Sequence, residues 1–142
     1  MSYKFLEGIT VADVAFEATA PTLEKLFADA GIAVVATQIN NVTAIKARVK
    51  KKIKIKAENI EELLFKFLDE LIFIKDKDLL LFSKFTDMKI SKDGSSLDCT
   101  AHGEKLDVKR HQTLVDVKAV TMHQFEVKRV ARGWKARVIL DV

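Results

Sequence analysis

Apolar and charged residues follow a helical period along residues 58–74. The apolar ones recur at the i, i+3, i+4, i+7 spacing of one face, with acidic and basic residues between them. Asn59 and Glu62 have the spacing of a capping box, in which each side chain accepts the other residue's backbone N–H. The pattern predicts a deeply buried amphipathic helix, followed by a charged turn at 75–78 and a strand over 79–85.

A strict two-residue alternation runs through residues 45–57 and predicts a long strand with one basic face. The basic side chains of the span 46–56 are Lys46, Arg48, Lys50, Lys52, Lys54 and Lys56. They could neutralise phosphates of RNA, in which case Lys50, Lys52 and Lys54 are the expected contacts. They could equally be a solvated face that discourages edge pairing. The second interpretation is favoured, because no interleaved aromatic residue is available to stack on bases.

The remaining segments predict an α+β protein. Residues 3–7 and 10–19 alternate as strands, and Pro21 and Thr22 mark the start of a second helix. Further strands are expected at 84–91, 95–103, 115–127 and 135–142, with an irregular surface loop over 104–114. The order predicts one two-layer domain over 1–142, with two helices packed on one face of a mostly antiparallel sheet.

Composition narrows the class of protein. With 142 residues, 49% of them hydrophobic, the chain can bury a core without disulfides. Cys99 lies in an alternating run with no evident base nearby, which favours a core cysteine over a nucleophile. No secretory signal or long apolar span is evident, so we expect a cytoplasmic protein that does not enter a membrane. The net charge of +4 is modest but unevenly distributed.

Motifs for catalysis are scarce. His102, His111 and His123 do not have the spacing of zinc ligands, and no nucleotide-binding or hydrolase motif is present. Asp13 and Asp141 lie in strongly apolar strands, and Asp141 precedes Val142, the last residue of the sequence. Oxygen ligands from two strand ends would suit calcium. From these residues alone, two ordinary strand-end aspartates are the favoured interpretation.

Six segments together resemble the archease family. They are YKFLE from Tyr3, ADV from Ala12, TLEKLF from Thr22, EELLFKFLDELIF from Glu61, DVKAVT from Asp116 and RVILDV from Arg137. The resemblance implies an α+β fold and no enzymatic reaction of its own. It implies a role as activator of the RtcB-type tRNA-splicing RNA ligase, promoting guanylylation and multiple turnover. It also implies a calcium site, at positions that correspond to Asp13, Asp141 and Val142.

The chain departs from the family pattern in two places. The His-Thr that precedes Ala-Asp in the family is Thr10-Val11 here, with Gly8-Ile9 as an apparent insertion. Met122 replaces the usual tyrosine after KAVT. These changes predict a metal affinity or partner fit that differs from the family norm.

Lys118 matches the family's characteristic lysine. It is expected either to contact an acidic group of the ligase or a nucleotide phosphate, or to be an ordinary strand lysine. The alternative function is a chaperone-like or RNA-binding module that uses the basic strand at 46–56.

Overall fold

The computed structural model describes residues 2–6 and 13–142, which form seven strands, two α-helices and one short 3-10 helix. In chain order they are β1 (Tyr3–Leu6), β2 (Asp13–Ala20), α1 (Leu23–Gln38), the 3-10 helix (Val42–Ala44), β3 (Val49–Lys56), α2 (Ile60–Asp78), β4 (Leu80–Ile90), β5 (Ser96–Lys105), β6 (Ala119–Val130) and β7 (Gly133–Asp141).

The strands form two antiparallel sheets, so the α+β prediction is confirmed. The first sheet has the order β1-β2-β7-β6, and the second has the order β3-β5-β4. The prediction of a single sheet is wrong, because the strands form two sheets. Both helices contact strands of both sheets. The two sheets therefore close over the same helical pair, as layered α+β architectures do.

One cluster of buried side chains joins both sheets and both helices. Its largest fully buried members are Phe16 of β2, Phe27 of α1, Phe67 of α2 and Phe82 of β4. Burial of each such side chain contributes roughly 1.5–3 kcal/mol to folding. The predicted deep burial of α2 is thus confirmed. Cys99 is also in this cluster, and its burial raises the thiol pKa to about 12, as expected for a core cysteine.

The helix starts agree with their predicted caps. Thr22 Oγ1 accepts the backbone N–H of Lys25 at 3.2 Å, and Asn59 Oδ1 accepts that of Glu62 at 2.9 Å. The predicted charged turn at 75–78 is wrong, because α2 continues through it to Asp78. The helix ends only at Leu79, which adopts the left-handed conformation with φ of 56°. Tertiary contacts to the side chain of Lys75, described below, hold this last turn.

Three other boundaries differ from the prediction. β3 begins at Val49, not residue 45, and β6 begins at Ala119, not residue 115. The region 104–114 is not wholly a surface loop, since Glu104 belongs to β5 and both Glu104 and His111 are buried. The burial of Glu104 and His111 depends on their contact with each other, which the local pattern does not report. The predicted start of β2 at residues 10–12 lies outside the described residues.

Candidate functional site

Three strand ends meet at one end of the first sheet. Asp13 opens β2, Asp141 closes β7 and Ala119 opens β6. Asp13 lies directly opposite Asp141, and Asp141 lies opposite Ala119 on its other side. The antiparallel register therefore brings together two acidic residues that are 128 positions apart in the sequence.

The two aspartates share the face of the sheet that points away from the helices. Their neighbours Val14 and Leu140 are also paired, and Leu140 belongs to the core cluster. Because side chains alternate, Asp13 and Asp141 point to the opposite side. Directly opposed Cβ atoms are about 4.5–5.5 Å apart, and like charges at that spacing repel. The pair is a poor structural contact unless a cation lies between or beside the carboxylates.

Backbone and core contacts hold this chain end in place. The Lys118 backbone N–H donates to the Asp141 carbonyl oxygen at 2.8 Å. The side chain of Val142 packs against the core cluster, as its alternation with Asp141 requires. Val142 is therefore held beside Asp141 at this end of the sheet. The side-chain oxygens of Asp13 and Asp141 are hard donors, the kind of ligand that calcium takes in proteins.

Lys118 itself is exposed, next to this strand end. Its exposure leaves the choice between a partner-contacting lysine and an ordinary strand lysine open. The other family-related positions nearby, Met122 and His123, are also exposed. The altered positions Gly8 to Val11 lie outside the described residues.

Lys75 is a residue that sequence reasoning missed. Its Nζ donates to Asp116 Oδ1 at 2.5 Å and to the Val117 carbonyl oxygen at 2.7 Å. Val117 in turn donates its backbone N–H to Gln38 Oε1 at 3.3 Å. The ends of both helices therefore hold the segment that leads to Lys118. The sequence signal that could have revealed the burial of Lys75 is its position four residues after Leu71, which places it on the buried face of α2.

A second buried charge cluster surrounds Glu104. Its carboxylate accepts hydrogen bonds from Arg110, from the Lys46 backbone N–H at 2.6 Å and from His111 Nε2 at 3.1 Å. The Arg110 hydrogen bond, together with those of Lys46 and His111, outweighs the opposing effect of burial and lowers the pKa of Glu104 to about 2. His111 Nδ1 accepts the Asp107 backbone N–H at 2.9 Å, so its ring proton is on Nε2. This cluster fixes the 105–111 connection to β5.

The predicted RNA contacts Lys50, Lys52 and Lys54 lie on β3, at one edge of the second sheet. All three are exposed on the face that points away from the helices. They are remote in the fold from Asp13 and Asp141, which belong to the other sheet. The two sets of predicted residues are therefore separate surfaces.

Side chains alone offer no larger metal centre in the described part of the chain. Among residues 2–6 and 13–142, no group of three His, Cys, Asp or Glu side chains is arranged to hold a metal ion. A site at the strand ends would thus need oxygen atoms besides the two aspartates. Likewise, no helix in these residues combines the length and hydropathy needed to cross a membrane.

Comparison with known proteins identifies the family. A sequence model of the Archease protein family (MTH1598/TM1083) matches residues 3–142. The chain belongs to the archease family. Protein archease of Methanosarcina barkeri is 32% identical over 142 residues, which is 99% of this chain and 95% of the relative. Protein archease of Pyrobaculum calidifontis is 31% identical over 137 residues, with 95% and 92% covered.

Solved archease-family structures have the same fold. The solution structure of Methanobacterium thermoautotrophicum protein 1598 superposes with a TM-score of 0.83 at 34% identity, over 99% of both chains. The crystal structure of a Thermotoga maritima archease, described as a possible chaperone, has a TM-score of 0.66 at 18% identity, over 96% of this chain and 97% of that one. The second likeness concerns the fold alone.

Proposed function

We propose that this archease-family protein is a non-enzymatic activator of an RtcB-type tRNA-splicing RNA ligase. In this role it promotes guanylylation of the ligase and so permits repeated turnover. The observation that carries the proposal is the direct pairing of Asp13 with Asp141 beside the C-terminal residue. A like-charged pair directly opposed across two strands is destabilising unless a cation binds it, and this cost supports a functional role for the pair.

Calcium is the metal that this donor set fits best. Asp13, Asp141 and an oxygen of Val142 would hold it, with backbone carbonyl groups and water completing the six to eight oxygen ligands that calcium takes. The bound ion would neutralise the carboxylates and organise the chain end. The protein's own residues do the rest of the positioning: Lys118 holds the Asp141 carbonyl, and Lys75 holds the preceding segment.

The orientation of Lys118 supports a contact with the ligase. Its backbone is fixed by the bond to Asp141 while its side chain is exposed. An exposed lysine side chain on a backbone fixed in this way can pair with an acidic group of a partner or with a nucleotide phosphate. Lys118 is therefore proposed as the residue that links the metal region to the ligase.

A ligation assay tests this function. We expect the purified ligase to join excess RNA for about one turnover alone and for many turnovers with this protein and calcium. Asp141→Asn and Lys118→Ala should lower the stimulation, whereas Asp69→Asn, at an exposed position of α2, should not. Stimulation by Asp141→Asn equal to that of the unchanged protein would refute the role of the site. RNA joining without ligase would refute the non-enzymatic assignment.

A chaperone-like function is the second candidate. Val108, Leu114 and Val115 are large apolar side chains that are exposed by 74%, 52% and 45%. Leu114 and Val115 also line a cleft of about 270 Å³. An apolar surface of this kind can bind unfolded segments. Light scattering by a heat-denatured client protein would test this function. We expect the parent protein to suppress aggregation of the client, and Leu114→Ser to suppress it less. Client scattering that is the same with and without the parent protein would exclude a chaperone-like function.

A further inference from the structure

The solvent-facing side of the second sheet collects lysines from both of its edge strands. On β3 they are Lys50, Lys52, Lys54 and Lys56, and on β4 they are Lys84 and Lys89. The opposite side of this sheet carries Ile53, Leu97 and Ala101, which belong to the core cluster. The lysine side therefore faces solvent, and we call it the lysine face.

Two β-bulges place Lys84 and Lys89 on the lysine face. Residues at even and odd positions of a regular strand point to opposite sides, so a regular β4 could present only one of them here. The register shifts between Phe82 and Lys84 and again between Thr86 and Lys89. Each bulge adds one residue to β4, which reverses the alternation. As a result Lys84 lies opposite His102.

The cations form two rows with a less charged floor between them. Across the sheet, Lys52 of β3 and Thr86 of β4 both pair with Thr100 of the central strand β5. The rows on β3 and β4 are two strand spacings apart, or roughly 10 Å, and the lysines along β3 follow one another at roughly 7 Å. A shallow cleft of about 400 Å³ lies between the rows, with Thr100 and Cys99 among its lining residues.

The acidic residues on this side do not cancel its charge. Asp98 lies between Lys54 and Lys89 in the register, and its carboxylate is 3.9 Å from Lys54 Nζ. Both members of that ion pair are exposed, and such pairs contribute little. Asp87 also borders the cleft. Six lysines against two aspartates leave the lysine face strongly positive.

We propose that the lysine face binds the sugar-phosphate backbone of double-stranded nucleic acid without reading its sequence. Two rows of ammonium groups on a nearly flat surface suit a regular polyanion, whose phosphates release counterions on binding. Among the described residues, this face carries no Phe, Tyr or Trp side chain, so it lacks the large stacking platforms that single strands use. The side chains of His102 and Thr86 form a polar part of the floor, with His102 Nε2 and Thr86 Oγ1 2.6 Å apart.

Fluorescence anisotropy of the purified protein with a labelled RNA duplex tests the proposal. We expect binding at 50 mM KCl that weakens steeply with salt, and equal affinity for duplexes of unrelated sequence. A variant with Lys52→Gln, Lys84→Gln and Lys89→Gln should bind at least about tenfold more weakly, with a logarithmic salt slope shallower by about 2–3. A single strand of the same length should bind more weakly than the duplex.

The matched control removes the same number of charges elsewhere. Lys77, Lys105 and Lys109 are exposed and lie outside the lysine rows, so their triple change to glutamine should leave the affinity nearly unchanged. Equal losses in the two triple variants would refute the assignment to this face, as would undetectable duplex binding at 50 mM KCl. A polyglutamate peptide that binds as tightly as the duplex would show that the face recognises acidic polymers in general, and would overturn the proposal. No ligase enters the assay, so its result is independent of the proposed function.

Discussion

At the scale of single residues, Asp13 and Asp141 illustrate how a local cost can indicate a site. Strand pairs of like charge are destabilising by up to about 1 kcal/mol. The chain nevertheless places these two carboxylates opposite each other, on a solvent-facing side where either could have been replaced without disturbing the core. The cost is offset if a cation binds the folded state.

Asp141→Asn tests both the repulsion between the two carboxylates and its neutralisation by a bound cation. Without calcium we expect the variant to be as stable as the parent or more stable by up to about 1 kcal/mol, because the repulsion is gone. With calcium at 100 times its dissociation constant, the parent should gain about 2.7 kcal/mol and the variant much less. Thermal unfolding with calcium and with a chelator measures both. A calcium-dependent shift of the same size in Asp141→Asn would place the ion elsewhere.

Glu104 makes a separate prediction about acid stability. Its pKa is lowered from 4.5 to about 2 in the folded protein, chiefly by the Arg110 hydrogen bond. The folded state therefore holds the ionised form more strongly than the unfolded state does, and this stabilisation is present above pH 4.5. It should be lost as the pH falls from about 4.5 towards 2.

Glu104→Gln should remove this pH dependence. At pH 7 the variant should be less stable by about 2 kcal/mol, the usual contribution of a charge-assisted hydrogen bond. Its stability should also fall less steeply than that of the parent between pH 4.5 and 2. Urea unfolding across this range gives both quantities, with the exposed Glu58→Gln as control. Parallel pH profiles for Glu104→Gln and the parent would contradict the assignment.

At the scale of secondary-structure elements, the junction between α2 and β4 is strained. Leu79 ends the helix with φ of 56°, and its backbone N–H still bonds the Lys75 carbonyl oxygen. For a residue with a Cβ atom this conformation costs roughly 1–2 kcal/mol. The strain persists because α2 is held by the buried Lys75 and β4 must begin at once to pair with β5.

Leu79→Gly should therefore stabilise the protein. Glycine adopts the left-handed conformation without that cost, although the unfolded chain gains entropy, so the net gain should be about 0.5–1 kcal/mol. The Leu79 side chain is 54% exposed, so little burial is lost. Leu79→Ala, which keeps the Cβ atom, should show no gain. Chemical unfolding of the parent, Leu79→Gly and Leu79→Ala measures their free energies of unfolding. A Leu79→Gly variant less stable than the parent would contradict backbone strain at this position.

At the scale of the whole molecule, the two proposed surfaces belong to different sheets. The strand-end carboxylates are on the sheet β1-β2-β7-β6, and the lysine face is on the sheet β3-β5-β4. The helical layer and the core cluster lie between them. Two surfaces separated in this way should act independently, since effects at distant sites usually add.

This separation predicts that a change in one surface leaves the binding activity of the other unchanged. The triple variant at Lys52, Lys84 and Lys89 should keep its full stabilisation by calcium, and Asp141→Asn should keep its affinity for the RNA duplex. Thermal unfolding with calcium and fluorescence anisotropy with the RNA duplex are measured on both variants. A fall in duplex affinity in Asp141→Asn would instead mean that the two surfaces form one interface or are coupled through the fold.

Several elements could be predicted from the amino-acid sequence because their signals are local. The periodicity and caps of α2, the start of α1 at Thr22 and the alternation of β3 arise from neighbours within a few residues, and the structure agrees with them. The α+β class followed from their order. The resemblance to the archease family, confirmed by the comparisons, selected Asp13 and Asp141 where composition alone favoured ordinary strand ends.

Other features could not be predicted from local sequence because they depend on contacts between distant parts of the chain. Lys75 became part of the helix because Asp116 and Val117 bind it, and Glu104 became a buried residue because Arg110 and His111 return to it. The division into two sheets, the register that opposes the two aspartates and the bulges of β4 are likewise choices among pairings that the local sequence leaves nearly equal. Such choices are made by the packing of the whole chain, because only there do the alternative pairings differ in the apolar surface that they bury.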